Sequence, residues 1–129
     1  MYPFYLEIEL VNPVIKFLKN KGYHVKKEVR IGFCRADIVG IKNNVVVAVE
    51  LKLNDWKKAI IQAKNYQLGS DYVYIAFPLK NIYNVIRKTE LKLKNEGIGL
   101  LAINEKTNKV KVVIESKKSK KMMGRIHFN

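Results

Sequence analysis

The chain has 129 residues, with 25 Lys or Arg against 11 Asp or Glu, and its formal charge at neutral pH is +14. Hydrophobic residues make up 48% of it, which excludes an intrinsically disordered segment and suits one domain with a real core. The longest apolar runs, such as Val45–Val49, are far too short to span a membrane, and no signal peptide is recognisable. We therefore expect a cytoplasmic protein and no membrane association.

The charge and the single cysteine narrow the classes of function further. An excess of positive charge attracts polyanions, so nucleic acid is the first candidate partner; an acidic membrane surface is the weaker one. Adaptation to heat is the other explanation of so many lysines. Cys34 has no second cysteine for a disulfide, and with only His24 and His127 beside it there are too few ligands for a zinc site. A reducing compartment is expected.

The first predicted element is a helix over residues 6–21. Pro13 leaves two alternatives: it kinks one long helix, or it opens a second helix as its first residue with Asn12 as the N-cap. Gly22 provides a stop, and the apolar residues before it recur at helical spacing: Leu6, Leu10, Val14, Phe17 and Leu18.

The remaining elements alternate between strands and helices. Three extended runs separated by Gly32 and by Asn43-Asn44 predict an antiparallel meander over Val25–Arg30, Arg35–Ile41 and Val45–Leu53. After them come a helix over Trp56–Leu68, capped by Asn54 or Asp55 and closed by Gly69, a strand over Tyr72–Phe77 ended by Pro78, a helix over Asn81–Asn95, and strands over Ile98–Ile103 and Val110–Ile114. The order αβββαβαββ predicts an α/β fold, a central mixed β-sheet with helices against its faces.

The domain is expected to cover residues 1–115. From Ser116 onward the chain carries bases and no acids, which predicts a basic tail over residues 116–129. Two interpretations of this tail stay open, a frayed end or a segment that contacts nucleic acid.

Three charged residues lie inside the otherwise apolar strands. Glu50 and Lys52 are two residues apart, so their side chains share one face of the predicted third strand. A two-residue turn at Asn43-Asn44 sets a register that places Asp37 opposite Glu50, with Cβ atoms about 5 Å apart on the same face. Facing carboxylates raise each other's pKa unless a cation lies between them, so the pattern indicates a metal site.

A third carboxylate joins them if the first helix begins before Pro13. Glu7 then lies in the apolar stripe and is aimed at the sheet, whereas Glu9 falls on the solvent side. If the helix starts at Pro13, neither acid can be placed. The cluster as a whole carries about two negative charges, which suits a hard divalent cation with oxygen ligands, and Mg²⁺ is the candidate.

The arrangement of Asp37 and Glu50-Leu51-Lys52, preceded by a helical glutamate and followed by a helix, resembles the PD-(D/E)XK, or restriction-endonuclease-like, nuclease superfamily. The likeness covers over half the chain and includes the αβββαβ order. It implies a restriction-endonuclease-like core in which Asp37 and Glu50 bind Mg²⁺, or Mn²⁺ as its substitute. Lys52 then assists the attacking water, and Glu7 supports the metal site. The implied activity is hydrolysis of phosphodiester bonds in DNA.

The next helix contains a second point of resemblance. Gln62 and Tyr66 match the Gln-x-x-x-Tyr motif of exonuclease-type branches of the superfamily. They are one turn apart, and the resemblance implies hydrogen bonds near the metal ligands or the scissile phosphate. The chain departs from the strict pattern in having Ala36, not Pro, before Asp37, which is a common variation. Endonuclease and exonuclease activity, and the structure of the DNA, stay open.

Less specific interpretations stand beside these. Glu50 and Lys52 also fit a structural ion pair at a strand end, and the Gln-x-x-x-Tyr pair also fits an ordinary amphipathic helix. Arg30 and Arg35 fit phosphate contacts and solvated strand ends equally well. The main alternative function is a non-catalytic nucleic-acid-binding module on the same fold, and the third is a basic assembly protein. One domain offers little surface to grip a duplex, so a homodimer also stays open.

Overall fold

A six-stranded β-sheet forms the middle of the computed structural model, which describes residue 4 and residues 6–120. The strands lie side by side in the order in which they occur in the chain. They are β1 (His24–Ile31), β2 (Cys34–Lys42), β3 (Val45–Leu51), β4 (Tyr72–Pro78), β5 (Gly99–Ile103) and β6 (Val110–Ile114). Strands β1 to β3 are antiparallel, β3 to β5 are parallel, and β6 is antiparallel to β5. The predicted α/β fold with a mixed sheet is confirmed at this level.

The turn that sets the β2–β3 register is the predicted one. Asn43 and Asn44 have φ angles of 51° and 66°, the positive values that a tight hairpin turn needs and that Asn tolerates. Beyond it, strand pairing runs from Lys42 and Val45 to Ile38 and Val49. The counted register is therefore correct over this stretch.

Three α-helices lie against the sheet in the described part of the chain: α1 (Val11–Asn20), α2 (Trp56–Tyr66) and α3 (Leu79–Glu96). Asp55 caps α2, accepting a hydrogen bond from the Lys58 N–H at 3.2 Å, and Gly97 ends α3 with a φ of 75°. No helix among the described residues is long and apolar enough to cross a bilayer.

The start of the chain corrects the prediction for Pro13. A one-turn 3-10 helix, Glu7–Leu10, leads directly into α1, and Pro13 lies buried in the first turn of α1, where its missing N–H removes no helical hydrogen bond. Neither predicted alternative describes this arrangement. Leu6 precedes the 3-10 turn and is exposed, so it does not belong to the apolar stripe as expected.

Both faces of the sheet carry a core. Helices α2 and α3 cover one face, which we call the α2 face, through residues that include Ala63, Tyr66 and Leu93. Helix α1 covers the other, the α1 face, through Leu10, Val14 and Leu18. Strand β3 is buried on both sides, as its apolar composition predicts, so any charge along it is expensive unless it is paired.

The beginning of the predicted tail is bound to the domain. The Ser116 hydroxyl donates to the Gly97 carbonyl at 3.0 Å and accepts from the Val73 N–H at 3.1 Å. The Ser119 hydroxyl donates to the Gln67 carbonyl at 2.7 Å. The chain is thus not a loose extension over residues 116–119, because its serines face the domain while the intervening lysines are exposed. Residues 121–129 of the predicted tail lie outside the described residues.

Candidate active site

The candidate site lies where β2 and β3 separate. Regular pairing ends at Ile38 and Val49, and the next position along the register is that of Asp37 and Glu50. There the Asp37 carboxylate takes the place of a backbone acceptor of β2, since its Oδ2 accepts a hydrogen bond from the Leu51 N–H at 2.7 Å. The structure therefore places Asp37 beside Glu50 at the end of the paired region.

Side-chain alternation breaks at Asp37. Ala36 packs into the α2-face core, yet Ile38, two residues further along β2, packs into the α1-face core. On β1 the residue across from Asp37 is Glu28, which has a φ of 53° and makes no strand pair, although its neighbours do. Local irregularities of this kind redirect a side chain. Regular alternation therefore does not set the direction of the Asp37 side chain, yet its carboxyl makes a side-chain hydrogen bond with that of Glu50, so the two lie together as expected.

Glu50 is buried beneath α2 and bound by Tyr66. Its side chain is 3% exposed, and its Oε1 lies 2.6 Å from the Tyr66 hydroxyl. The same hydroxyl lies 2.7 Å from the Arg35 carbonyl oxygen. A hydroxyl has one proton, so it can donate to only one of these two acceptors. Glu50 also shares a side-chain hydrogen bond with Asp37, so Tyr66, Glu50 and Asp37 form one connected group.

Burial raises the pKa of both site carboxyls. The pKa of Glu50 rises to about 7, chiefly through burial, with a further contribution from the charge of Asp37; the Tyr66 hydrogen bond and Lys52 oppose the rise. The pKa of Asp37 is raised as well, first by burial and then by Glu7, against the Leu51 N–H and Lys52. The predicted effect is present in one direction only: Asp37 raises the pKa of Glu50, by less than burial does, whereas the side-chain hydrogen bond with Glu50 lowers the pKa of Asp37. Too little positive charge lies near Asp37 and Glu50 to hold their pKa values at the ordinary level.

Lys52 supplies part of that charge. Its Nζ lies 3.6 Å from Glu50 Oε2, and both side chains are buried. Its backbone N–H donates to the Ala76 carbonyl at 3.0 Å, which fixes the end of β3 against β4. One ammonium group compensates one carboxylate, so the ionised form of the cluster keeps a net negative charge.

Glu7 lies on the α1 side of the site. Its Oε2 is 3.4 Å from the Leu53 nitrogen, and it lines a shallow cavity of about 150 Å³ together with Asp37 and Leu51. Glu9 instead accepts a hydrogen bond from the Leu6 N–H at 2.8 Å. Of the two early acids, Glu7 is therefore the one directed at the site, although Glu50 does not line this cavity.

Two further residues of the cavity, Lys27 and Glu28, were not predicted from the sequence. The sequence does contain a signal that places Glu28. Gly32 and Phe33 form a two-residue turn between β1 and β2, with Ile31 opposite Cys34. The register that starts at this turn places Glu28 opposite Asp37.

The two helix residues of the Gln-x-x-x-Tyr motif have different environments. Tyr66 contacts Glu50, as the motif implies. Gln62 makes no hydrogen bond to Asp37 or Glu50 in the described structure, and its Oε1 is buried there without a hydrogen-bond partner. A buried amide oxygen in this state needs a donor such as a bound water.

The carboxylates form a pair and not a larger cage. Across the described residues, no three His, Cys, Asp or Glu side chains are grouped so that they could hold a metal ion. Glu7 is the outlying member, because it is exposed and bound to Leu53. Any cation at this site would therefore rest on Asp37 and Glu50, with its other positions left to water or substrate.

Comparison with known proteins adds no constraint on this interpretation. No protein-family model matches the chain, and no curated protein matches it.

Proposed function

We propose that this protein is a magnesium-dependent nuclease that hydrolyses phosphodiester bonds in DNA, with Mn²⁺ able to replace Mg²⁺. The observation that carries the proposal is the half-buried Asp37 next to the buried Glu50, with the buried Lys52 beside Glu50, in a chain of charge +14. The resemblance to the PD-(D/E)XK superfamily supports the same activity and a restriction-endonuclease-like core as the finer description of the fold. Endonuclease and exonuclease cleavage are both compatible with it.

The donor set fits Mg²⁺. This ion prefers oxygen ligands and commonly binds through one or two carboxylates, several waters and the phosphates of a substrate. Asp37 and Glu50 provide two carboxylates, and Glu7 is near enough to act on the pKa of Asp37. A divalent charge placed next to carboxyls whose pKa is raised by burial lowers that pKa and favours their ionised form. Bound there, Mg²⁺ would lower the pKa of a water and stabilise negative charge on the phosphate.

The residues of the chain divide the remaining work. Asp37 and Glu50 hold the cation, and Lys52 orients the attacking water or stabilises the charge that develops on the phosphate. Tyr66 is a positioning residue: with Glu50 ionised, its hydroxyl donates to Oε1 and fixes the carboxylate. Gln62, with its unpaired buried oxygen, is suited to hold a water on the α2 side.

The charge distribution supports a polyanionic substrate. Exposed lysines and arginines give a sequence-independent attraction for phosphate. The few acids are not spread evenly, since Glu7, Asp37 and Glu50 lie at one end of the β2–β3 pair. A negative site within a positive surface holds a cation under a bound phosphate backbone, which is what metal-dependent phosphodiester cleavage requires.

Cleavage assays with magnesium test the proposal. We expect duplex, single-stranded or branched DNA to be cut in Mg²⁺ or Mn²⁺ and not in EDTA, and Asp37→Ala to lower the rate roughly 10²-fold or more. Lys52→Met is expected to lower the rate while calorimetry still detects Mg²⁺ binding. Glu90→Gln on α3 is the control and leaves the rate unchanged. Absence of cleavage on every DNA, or unchanged cleavage by Asp37→Ala, would contradict the proposal.

A non-catalytic nucleic-acid-binding module on the same fold is the second candidate. The observation in its favour is that the described part of the chain offers two site carboxylates together and no group of three metal ligands. Calorimetry with Mg²⁺ alone separates the two functions. A binding heat that Glu50→Ala abolishes supports the nuclease, whereas no heat together with unchanged, salt-sensitive DNA affinity in that variant supports the module.

A further inference from the structure

The turn between β1 and β2 presents an aromatic side chain to solvent. Gly32 and Phe33 form this turn, Gly32 with a φ of 58°, and Phe33 is 88% exposed. A large apolar side chain at a hairpin tip gains nothing from folding when it is so exposed. We call residues 30–35 the β1–β2 tip.

The β1–β2 tip is held rigid by α2. The Asn65 side chain donates to the Ile31 carbonyl at 2.6 Å and accepts from the Phe33 N–H at 3.2 Å. A Cβ at Gly32 would lie 2.5 Å from Asn65 Oδ1, so glycine is required for this close approach as well as for its φ. The tip is therefore fixed in position although its aromatic ring is free.

Two arginines flank the exposed ring. Arg30 and Arg35 are direct partners on the paired strands, which places two like charges opposite each other. Among the described residues, no carboxylate lies within ion-pair distance of either guanidinium. This juxtaposition costs stability in the free protein and is relieved when an anion binds between or beside the two groups.

The β1–β2 tip also lies close to the candidate active site. The Arg35 carbonyl contacts the Tyr66 hydroxyl, which contacts Glu50. Asp37 lies on β2, four residues beyond Phe33 in the turn, about 13 Å away at the rise of an extended chain. A nucleic acid held at the tip would thus reach the carboxylates within a few nucleotides.

We propose that the β1–β2 tip is a wedge that binds DNA at a break in base stacking. Phe33 stacks on an unpaired base, and Arg30 and Arg35 bind the phosphates beside it. The preferred ligand is a duplex interrupted by unpaired nucleotides. Opening an intact base pair costs a few kcal/mol, and this cost is absent where the base is already unpaired. The inference rests on the proposed function only in taking DNA as the ligand and does not require catalysis.

Charge favours DNA over a second copy of the chain as the occupant. A two-fold contact through this tip would bring four guanidinium groups together on a protein that already carries +14. A phosphate backbone, in contrast, supplies the anions that Arg30 and Arg35 lack, and every base offers a face on which an aromatic ring can stack.

Binding without metal tests the wedge. In EDTA we expect the wild-type protein to bind a duplex with three unpaired nucleotides more tightly than the same duplex fully paired. Phe33→Ala should weaken binding to the interrupted duplex by about 5- to 100-fold, the usual range for one stacked base, while Phe33→Trp retains it. A 2-aminopurine among the unpaired nucleotides should lose fluorescence on binding the wild type and not on binding Phe33→Ala.

Matched variants on α3 control for loss of apolar area and of charge. Tyr83→Ala removes another exposed aromatic side chain, 73% exposed, and should leave the preference intact. Arg30→Ala/Arg35→Ala should lower the slope of log affinity against log salt by about two, whereas Arg87→Ala/Lys88→Ala, with the same loss of charge, should not.

The outcomes separate this inference from the proposed function. If Phe33→Ala keeps the preference, the wedge is wrong even where the protein cuts DNA. The wedge is also wrong if Phe33→Ala changes the sedimentation coefficient, and so the oligomeric state, but not DNA binding. A second copy of the chain then covers the ring. If Phe33→Ala loses the preference and no DNA is cleaved in Mg²⁺, the wedge stands and the nuclease proposal falls.

Discussion

Tyr66 connects two parts of the site through one proton. Its hydroxyl lies within hydrogen-bond distance of Glu50 Oε1 and of the Arg35 carbonyl, and both are acceptors when Glu50 is ionised. Donation to Glu50 stabilises its carboxylate and lowers its pKa, but burial outweighs this effect and leaves the pKa raised to about 7.

The raised pKa of Glu50 predicts a pH dependence of stability. Between its ordinary pKa of 4.5 and the folded value of about 7, the folded protein binds more protons than the unfolded chain. The contribution of Glu50 to the free energy of unfolding is therefore highest below pH 4.5, falls as the pH rises, and is fully lost above about 7. Without metal, we expect Glu50→Gln to be more stable than the wild type at pH 8 by roughly 3 kcal/mol, and this difference to disappear below pH 4.5.

Urea denaturation in EDTA across this pH range measures the difference. The control is Glu90→Gln, which removes a surface ion pair with Lys94 on α3 and should change stability by less than about 1 kcal/mol. Addition of Mg²⁺ should stabilise the wild type at pH 8 and leave Glu50→Gln nearly unchanged. A constant difference between Glu50→Gln and the wild type from pH 4 to pH 8 would show that Glu50 is not the titrating group.

At the scale of elements, the β2–β3 hairpin shows what the sequence could predict. Period-two patterns and the Asn43-Asn44 turn are local signals, and together they set the register that leads to Asp37 and Glu50. The signal for α2, the helix after β3, is equally local, since Asp55 caps this helix as expected. These features were predictable because each depends on residues close together in the chain.

Other features depend on contacts that local patterns do not contain. The break in alternation at Asp37 arises jointly from β1 and β2, where Glu28 adopts a positive φ. The binding of Ser119 depends on the Gln67 carbonyl, far away in the chain. The 3-10 turn before α1 contacts β4, a strand that is more than 60 residues away in the chain. Each required the tertiary structure, because intrinsic preferences are weak and neighbours override them.

Gly99 makes another close long-range contact. It is the strand partner of Tyr74, and a Cβ at this position would collide with the Tyr74 ring and lie 2.7 Å from the Ser116 nitrogen. We expect Gly99→Ala to destabilise the protein by about 1–3 kcal/mol, because the ring and the bound segment at Ser116 cannot both stay in place. Urea denaturation measures the change.

A double-mutant cycle is the control for Gly99. In a Tyr74→Leu background the ring is absent, so Gly99→Ala should cost less than it does in the wild type. A cost of under about 0.5 kcal/mol in the wild-type background would mean that β5 and the segment at Ser116 shift without strain, which contradicts the prediction.

At the scale of the whole molecule, the charge of +14 and the acidic site act together. The basic surface draws a polyanion toward the protein, and the site carboxylates repel a phosphate that comes near them without a cation. Composition predicted the first effect. The second required the register of two strands and the burial of Glu50, and under the proposed function it predicts that DNA affinity depends on the metal.

Removing the site carboxylates should therefore strengthen metal-free DNA binding. Asp37→Asn/Glu50→Gln removes two negative charges and takes the formal charge from +14 to +16. In EDTA at pH 8 we expect about 3- to 10-fold tighter binding, because two charges no longer oppose a nearby phosphate. Mg²⁺ should then tighten binding by the wild type and not by the variant, measured by fluorescence anisotropy. Glu90→Gln/Glu105→Gln changes the net charge equally and should have little effect; an equal gain there would show that net charge, and not phosphate over the site, controls affinity.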